Sequence, residues 1–128
     1  MKLDKITRKL SEAFTNSIQV AEEHKNSEQT EEHLIFSILN DDSGMAEIIL
    51  NHLKLDRNKF KNLASQSIAR LPRIQGINHI DPSRGLMNLL QKSDGIRSEL
   101  KDEYLSTEHV LVAFLRDSST NLKNDFIK

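Results

Sequence analysis

The sequence predicts an all-α protein built from two copies of one four-helix repeat, the last helix of the second copy missing from the chain. Three observations predict it: an internal match at a fixed offset, an apolar period of three to four residues, and capping residues at equivalent places in the two copies. Glu32-His33 recurs as Glu108-His109, an offset of 76. At that offset Leu10 falls on Leu86, Ser17 on Ser93, Glu23 on Glu99, Lys25 on Lys101, Leu39 on Leu115, Asp41 on Asp117 and Ser43 on Ser119. The apolar set Leu34, Ile35, Ile38 and Leu39 becomes Val110, Leu111, Phe114 and Leu115. After one inserted residue, Met45, Ile49 and Leu50 align with Leu122, Phe126 and Ile127. Two unrelated amphipathic helices would rarely keep the same loop length between them, so the repeat reads as a duplication.

The elements follow in order. Ile6, Leu10, Ala13, Phe14, Ser17, Val20 and Ala21 share one face of a first helix. A polar break runs from Asn26 to Gln29, and Thr30 is the N-cap of a second helix, with Glu31 and Glu32 at the positive end of its dipole. That helix ends near Asn40 to Gly44, where Gly44 supplies a turn or C-cap, and a short third helix runs from about Met45 to Leu53. Asp56 caps a fourth, with Phe60, Leu63, Ala64, Ile68 and Leu71 as its apolar stripe. Pro72 stops it, because proline disfavours a helical residue before it and has no N–H to donate. Residues 72–82 read as an extended linker, dividing repeat one (1–71) from repeat two (83–128). The second copy opens near Ser83 with a helix carrying Leu86, Leu89, Leu90 and Ile96, and Ser106 caps the next as Thr30 does. Gly95 lies inside the first of these, where it costs about 1 kcal/mol relative to Ala and is read as permitting close packing.

Composition narrows the function. A chain of 128 residues with 37% hydrophobic and 29% charged residues can bury one modest core. A formal charge of −1 provides no field toward nucleic acid or anionic membrane, and a single Tyr with no Trp provides no stacking platform. The absence of cysteine removes disulfides, thiolate nucleophiles and Cys-based zinc sites, and fits a reducing compartment. The N-terminus lacks the apolar core of a secretion signal, and no apolar run approaches the roughly 20 residues that cross a bilayer. A monomeric cytoplasmic domain is expected, with neither nucleic acid nor membrane as partner.

Catalytic motifs are missing too. The four glycines are scattered and none precedes a Lys-Ser/Thr pair, so no phosphate loop exists and ATP hydrolysis by this chain is not expected. His33 and His109 each follow a Glu without a second ligand at helical spacing, so no metal site is expected and each reads as a helix-start histidine with local hydrogen bonds. No serine sits in a G-x-S-x-G elbow. The basic run from Lys54 to Lys61 keeps its helical stripe and reads as a solvated face. Glu32 and Glu108 admit two readings. Each is explained by the helix dipole, at roughly 0.3–1 kcal/mol, or the two form repeat-related surface sites for basic ligand groups.

Met1-Lys2-Leu3-Asp4-Lys5-Ile6-Thr7, Leu71-Pro72-Arg73-Ile74-Gln75-Gly76 and Ser106-Thr107-Glu108-His109 resemble the N-terminal domain of Clp ATPases. The first two segments resemble the ClpB disaggregase branch, and the third is also close to the protease-linked ClpC branch. The resemblance implies a pseudo-twofold bundle of two four-helix repeats, a non-catalytic, client-binding module joined to a hexameric ATPase ring, with ATP and magnesium belonging to the full-length protein rather than to this chain. Its partners would be unfolded or aggregated proteins. It also implies client-handling roles for Thr7, Asp102 and Glu108, and an apolar groove near the second repeat to which Ile96 and Tyr104 contribute. His109 and Lys92 depart from the ClpB pattern and make that groove less apolar. Two alternatives stand beside this reading. One is a ClpC-type module binding an adaptor or a phosphoarginine tag through Glu32 and Glu108, and the other is a stand-alone interaction protein.

Overall fold

The computed structural model describes residues 5–41, 45–76, 79–117 and 121–126. The Met1–Asp4 segment, the turn assigned to Gly44, the Ser43–Ser119 match and the side chains of Asp117, Phe126 and Ile127 lie outside that description. Seven helices occur among the described residues: α1 (Arg8–Glu23), α2 (Glu31–Leu39), α3 (Met45–His52), α4 (Arg57–Ala69), α5 (Arg84–Glu99), α6 (Thr107–Asp117) and α7 (Asn121–Phe126). Two short strands, β1 (Glu28–Gln29) and β2 (Asp81–Pro82), pair in parallel.

The repeat is visible in the backbone. The starts of α1 and α5, and of α2 and α6, differ by 76 residues, the offset of the sequence match. Thr7 and Ser83 cap α1 and α5 alike: Thr7 Oγ1 accepts from the Leu10 N–H at 3.3 Å and Ser83 Oγ from the Leu86 N–H at 3.0 Å. Both helices close on a left-handed lysine, Lys25 at φ 55° and Lys101 at φ 58°. In each case the next residue's N–H turns back into the helix, from Asn26 to the Ala21 carbonyl and from Asp102 to that of Arg97.

The halves interlock where each enters its first helix. The Thr7 N–H donates to the Leu105 carbonyl at 2.9 Å, and the Leu105 N–H donates to the Lys5 carbonyl at 2.8 Å. The mate of this crossing is the β1–β2 pair, extended by the Ser83 N–H to the Gln29 carbonyl at 2.8 Å. Ile6 pairs with Leu105 as Pro82 pairs with Gln29, which is the exchange a twofold axis produces. A linker read simply as extended therefore contributes a strand, because the entry to α5 must pair with the turn before α2.

One hydrophobic core serves both copies, with Leu34, Ile35, Leu39, Val110, Leu111 and Phe114 fully buried within it. The helix α2 packs against α1, α3, α4 and α5 and is buried at every position except the partly covered Phe36. The helix α6 is more open, with Glu108 and Arg116 exposed. Part of the basic run departs from the solvated-face reading. Arg57 Nε donates to the Leu39 carbonyl at 2.7 Å and Nη2 to the Asp41 carbonyl at 3.0 Å, covering the negative end of α2.

Gly95 corrects another expectation. A Cβ built there meets nothing within 4 Å, so no close packing requires glycine. Gly95→Ala is therefore expected to stabilise the protein by about 1 kcal/mol, through the backbone entropy that glycine loses on entering a helix. Urea denaturation checks this, and an unchanged or lower midpoint counts against it.

Candidate functional site

The crossing of residues 5–7 with Leu105 gathers most of the residues singled out in the sequence. Thr7 sits on one side of it, half-buried as the α1 cap. On the other lie Asp102, Tyr104, Glu108 and His109, between the end of α5 and the first turn of α6. Asp102, Tyr104 and Glu108 are exposed. Lys5 joins the two sides, its ammonium 3.2 Å from Glu103 Oε1 and 5.5 Å from the centre of the Tyr104 ring.

His109 does not face this surface. It is buried, and its two ring nitrogens are both engaged. Nδ1 accepts the Ser106 backbone N–H at 2.9 Å, so the proton resides on Nε2, which donates to Asp102 Oδ2 at 2.7 Å. His33 repeats the arrangement, with Nδ1 accepting from the Thr30 N–H at 2.8 Å and Nε2 donating to Asn26 Oδ1 at 2.8 Å. His33 occupies the third helical position of a capping box, His109 takes the same position in α6, and each ties the preceding turn to its helix. This corrects the placement of His109 in a client groove. Ile96 is corrected likewise, since it is buried in the core and offers little surface.

Other apolar groups take their place on the surface. Leu100 is 60% exposed and Met87 45%, close to the 46% of Tyr104. Sequence reasoning passed over both, although the repeat carried a signal. Leu100 aligns with His24 and Met87 with Ser11, so the second copy is apolar where the first is polar. Lys92 on α5 is exposed as a charged group of the same helix.

Glu32 and Glu108 are not equivalent. Glu108 is exposed, whereas Glu32 is only 9% exposed and stands beside Glu31, itself buried. Burial pushes the Glu32 carboxyl above its ordinary range and the Glu31 carboxylate adds to the rise, while its own backbone N–H and Thr30 pull it back. Surface placement thus holds for Glu108 and fails for Glu32, which lies on a helix packed against α1, α3, α4 and α5. Among the described residues no group of three or more His, Asp or Glu side chains is arranged to hold a metal ion. No helix among them is long and apolar enough to cross a membrane.

The paired capping histidines, the strand crossings and the 76-residue repeat together define a two-repeat helical module. Residues 5–125 match the Clp repeat (R) N-terminal domain family, and the chain belongs to that family. Its domain is a non-catalytic N-terminal module. The chaperone protein ClpB 2 of Nostoc sp. is 30% identical over 115 residues, which cover 89% of this chain and 13% of the relative. The chain therefore spans only about an eighth of the length of such relatives. In three dimensions it is similar to the Hsp104 N-terminal domain of Candida albicans, with a TM-score of 0.82 and 20% identity, over 96% of this chain and 80% of that one. It is also similar to a ClpV N-domain solved in complex with a VipB peptide, with a TM-score of 0.79 and 20% identity, over 97% of this chain and 78% of that one.

The capping histidine of the first repeat makes stability depend on pH. Burial, with a smaller contribution from His24, lowers His33 from 6.5 to about 4. A folded-state value below the unfolded one means that its contribution is complete above pH 6.5 and is lost as pH falls from there through about 4. Glu32 acts in the opposite sense, since its burial penalty diminishes as pH falls. Comparing wild type with His33→Gln isolates the histidine: the wild-type urea midpoint should fall more steeply between pH 6.5 and 4.5 than the variant's. Parallel curves would contradict the buried neutral imidazole.

Proposed function

We propose that this chain is the client-engaging N-terminal module of a ClpB-type ATP-dependent disaggregase chaperone. On this reading it receives unfolded or aggregated polypeptide in the cytoplasm and passes it to a hexameric ATPase ring, where ATP and magnesium are used. The observation that carries the reading is the exposed cluster of Thr7-adjacent Lys5, Asp102, Tyr104 and Glu108 at the α1–α6 crossing, with Leu100 and Met87 exposed on the same repeat. A client receiver must accept many sequences, and scattered apolar groups with a charged rim suit that better than a deep pocket. The ClpB relatives at about 30% identity support the branch, and the ClpV N-domain bound to a peptide supports protein segments as ligands. The enclosed position of Glu32 weighs against a paired acidic site for phosphoarginine.

Glu108→Ala is expected to weaken binding of a reduced, alkylated α-lactalbumin by roughly three- to tenfold, the scale of one charge-assisted contact. Thr7 and Asp102 substitutions should do the same and Glu32→Ala much less, as read by fluorescence anisotropy. Equal losses in both glutamate variants, together with tight binding of free phosphoarginine, would favour a protease-linked, tag-binding module instead.

A further inference from the structure

In the first repeat the chain itself covers the corner at the end of α1. After α4 the chain runs back across the end of α1. There the Ile74 N–H donates to the carbonyl of the left-handed Lys25 at 2.8 Å. Two residues earlier, the Pro72 carbonyl accepts from Asn26 Nδ2 at 3.0 Å. The Asn26 amide is thereby used at both ends, its oxygen on His33 and its nitrogen on the linker, and the residue is 2% exposed.

The second repeat builds the same corner, and there the Arg97 guanidinium, at the position of Ala21, donates through Nη1 to the Asp102 carbonyl at 2.9 Å. Lys101 has the φ of Lys25, and the turn-closing bonds to Ser98 and Arg97 repeat those to Glu22 and Ala21. Among the described residues no N–H donates to the Lys101 carbonyl. Asp102 holds His109 through Oδ2 as Asn26 holds His33, yet its side chain is 51% exposed. Its second oxygen replaces the amide nitrogen that grips Pro72.

We propose that the Lys101–Asp102 corner docks an extended polypeptide segment in the manner of residues 72–74, with a lysine or arginine meeting Asp102 just ahead of an apolar residue whose backbone N–H meets the Lys101 carbonyl. The chemistry selects this occupant. A backbone carbonyl at the Pro72 position would face a carboxylate oxygen and be repelled, whereas a cationic donor is attracted. Glu99 and Glu103 add exposed negative charge beside Asp102, and Lys101 opposes it. Of the nearby cations, Arg97 is held between Asp94 Oδ1 at 2.7 Å and the Asp102 backbone carbonyl at 2.9 Å, leaving the Asp102 carboxylate to another donor, and Lys5 is engaged by Glu103. The docking mode rests on the client-binding reading and names the kind of segment that reading requires.

A residue exchange tests it. Asp102→Asn recreates the Asn26 corner and keeps an oxygen for His109 Nε2, so the bonds of His109 to the turn are retained. Two labelled peptides serve as probes, one carrying Leu71–Gly76 as it stands and one with Pro72→Lys. Wild type should bind the lysine peptide roughly fivefold tighter, with shifts at the Asp102–Leu105 amides by NMR, and Asp102→Asn should abolish or reverse that preference. The wild-type preference should also shrink at high salt, a readout that needs no variant. A preference that is absent, untouched by the exchange or indifferent to salt overturns the inference. Alkylated α-lactalbumin titrated in parallel separates the two claims. Retained client binding without the peptide preference overturns only the docking mode, and loss of both overturns the client-binding reading as well.

Discussion

Everything in this fold depends on the two places where the chain crosses itself. The segment that enters α1 is hydrogen-bonded to the turn before α6, and the segment that enters α5 is bonded to the turn before α2. Neither repeat can close without the other, because each supplies the pairing partner for the other's first backbone groups. Those N–H and C=O groups lie close to a buried core, where leaving them unpaired would cost about 1–3 kcal/mol each. The crossings also fix which turns reach the surface together, and so they position the site as well as the core.

The repeat is symmetric in its backbone and asymmetric in its burial. Asn26 and Asp102 perform the same task toward a capping histidine, but the linker covers one and not the other. Gln29 and Leu105 stand at equivalent crossing positions with opposite chemistry. Gln29 Nε2 reaches Ser17 Oγ at 2.6 Å in a buried polar network, while Leu105 joins the apolar core. Such differences give equivalent positions of the two repeats different exposure. The enclosed α2 takes the structural share, and the more open α6 with the end of α5 takes the surface share.

Buried polarity is placed with economy. Nearly every buried side-chain polar atom among the described residues has a partner, and the oxygen of Ser37 on α2 is the exception. Its repeat mate is Ala113, so the second copy avoids the cost. His33 shows why a neutral imidazole suits such a corner. One nitrogen must accept a backbone N–H and the other must donate, which a protonated ring cannot do.

The sequence by itself determined the helices, their caps and the duplication, because these rest on local periodicity and on side chains that act within one turn. Thr30, Asp56, Ser83 and Ser106 could be read as helix starts for that reason, while the cap at Thr7 appears only in the structure. The grouping of Thr7 with Asp102, Tyr104 and Glu108 came from the family resemblance, and only the crossing at Leu105 brings them together in space. The tertiary structure alone decided burial: Glu32 enclosed and Glu108 open, Ile96 and His109 inside, Leu100 and Met87 outside. Equivalent residues carry equal local signals, and what covers each depends on a helix or linker arriving from far along the chain. A repeat in sequence specifies twin corners, and the path of residues 72–74 decides which of them is already filled.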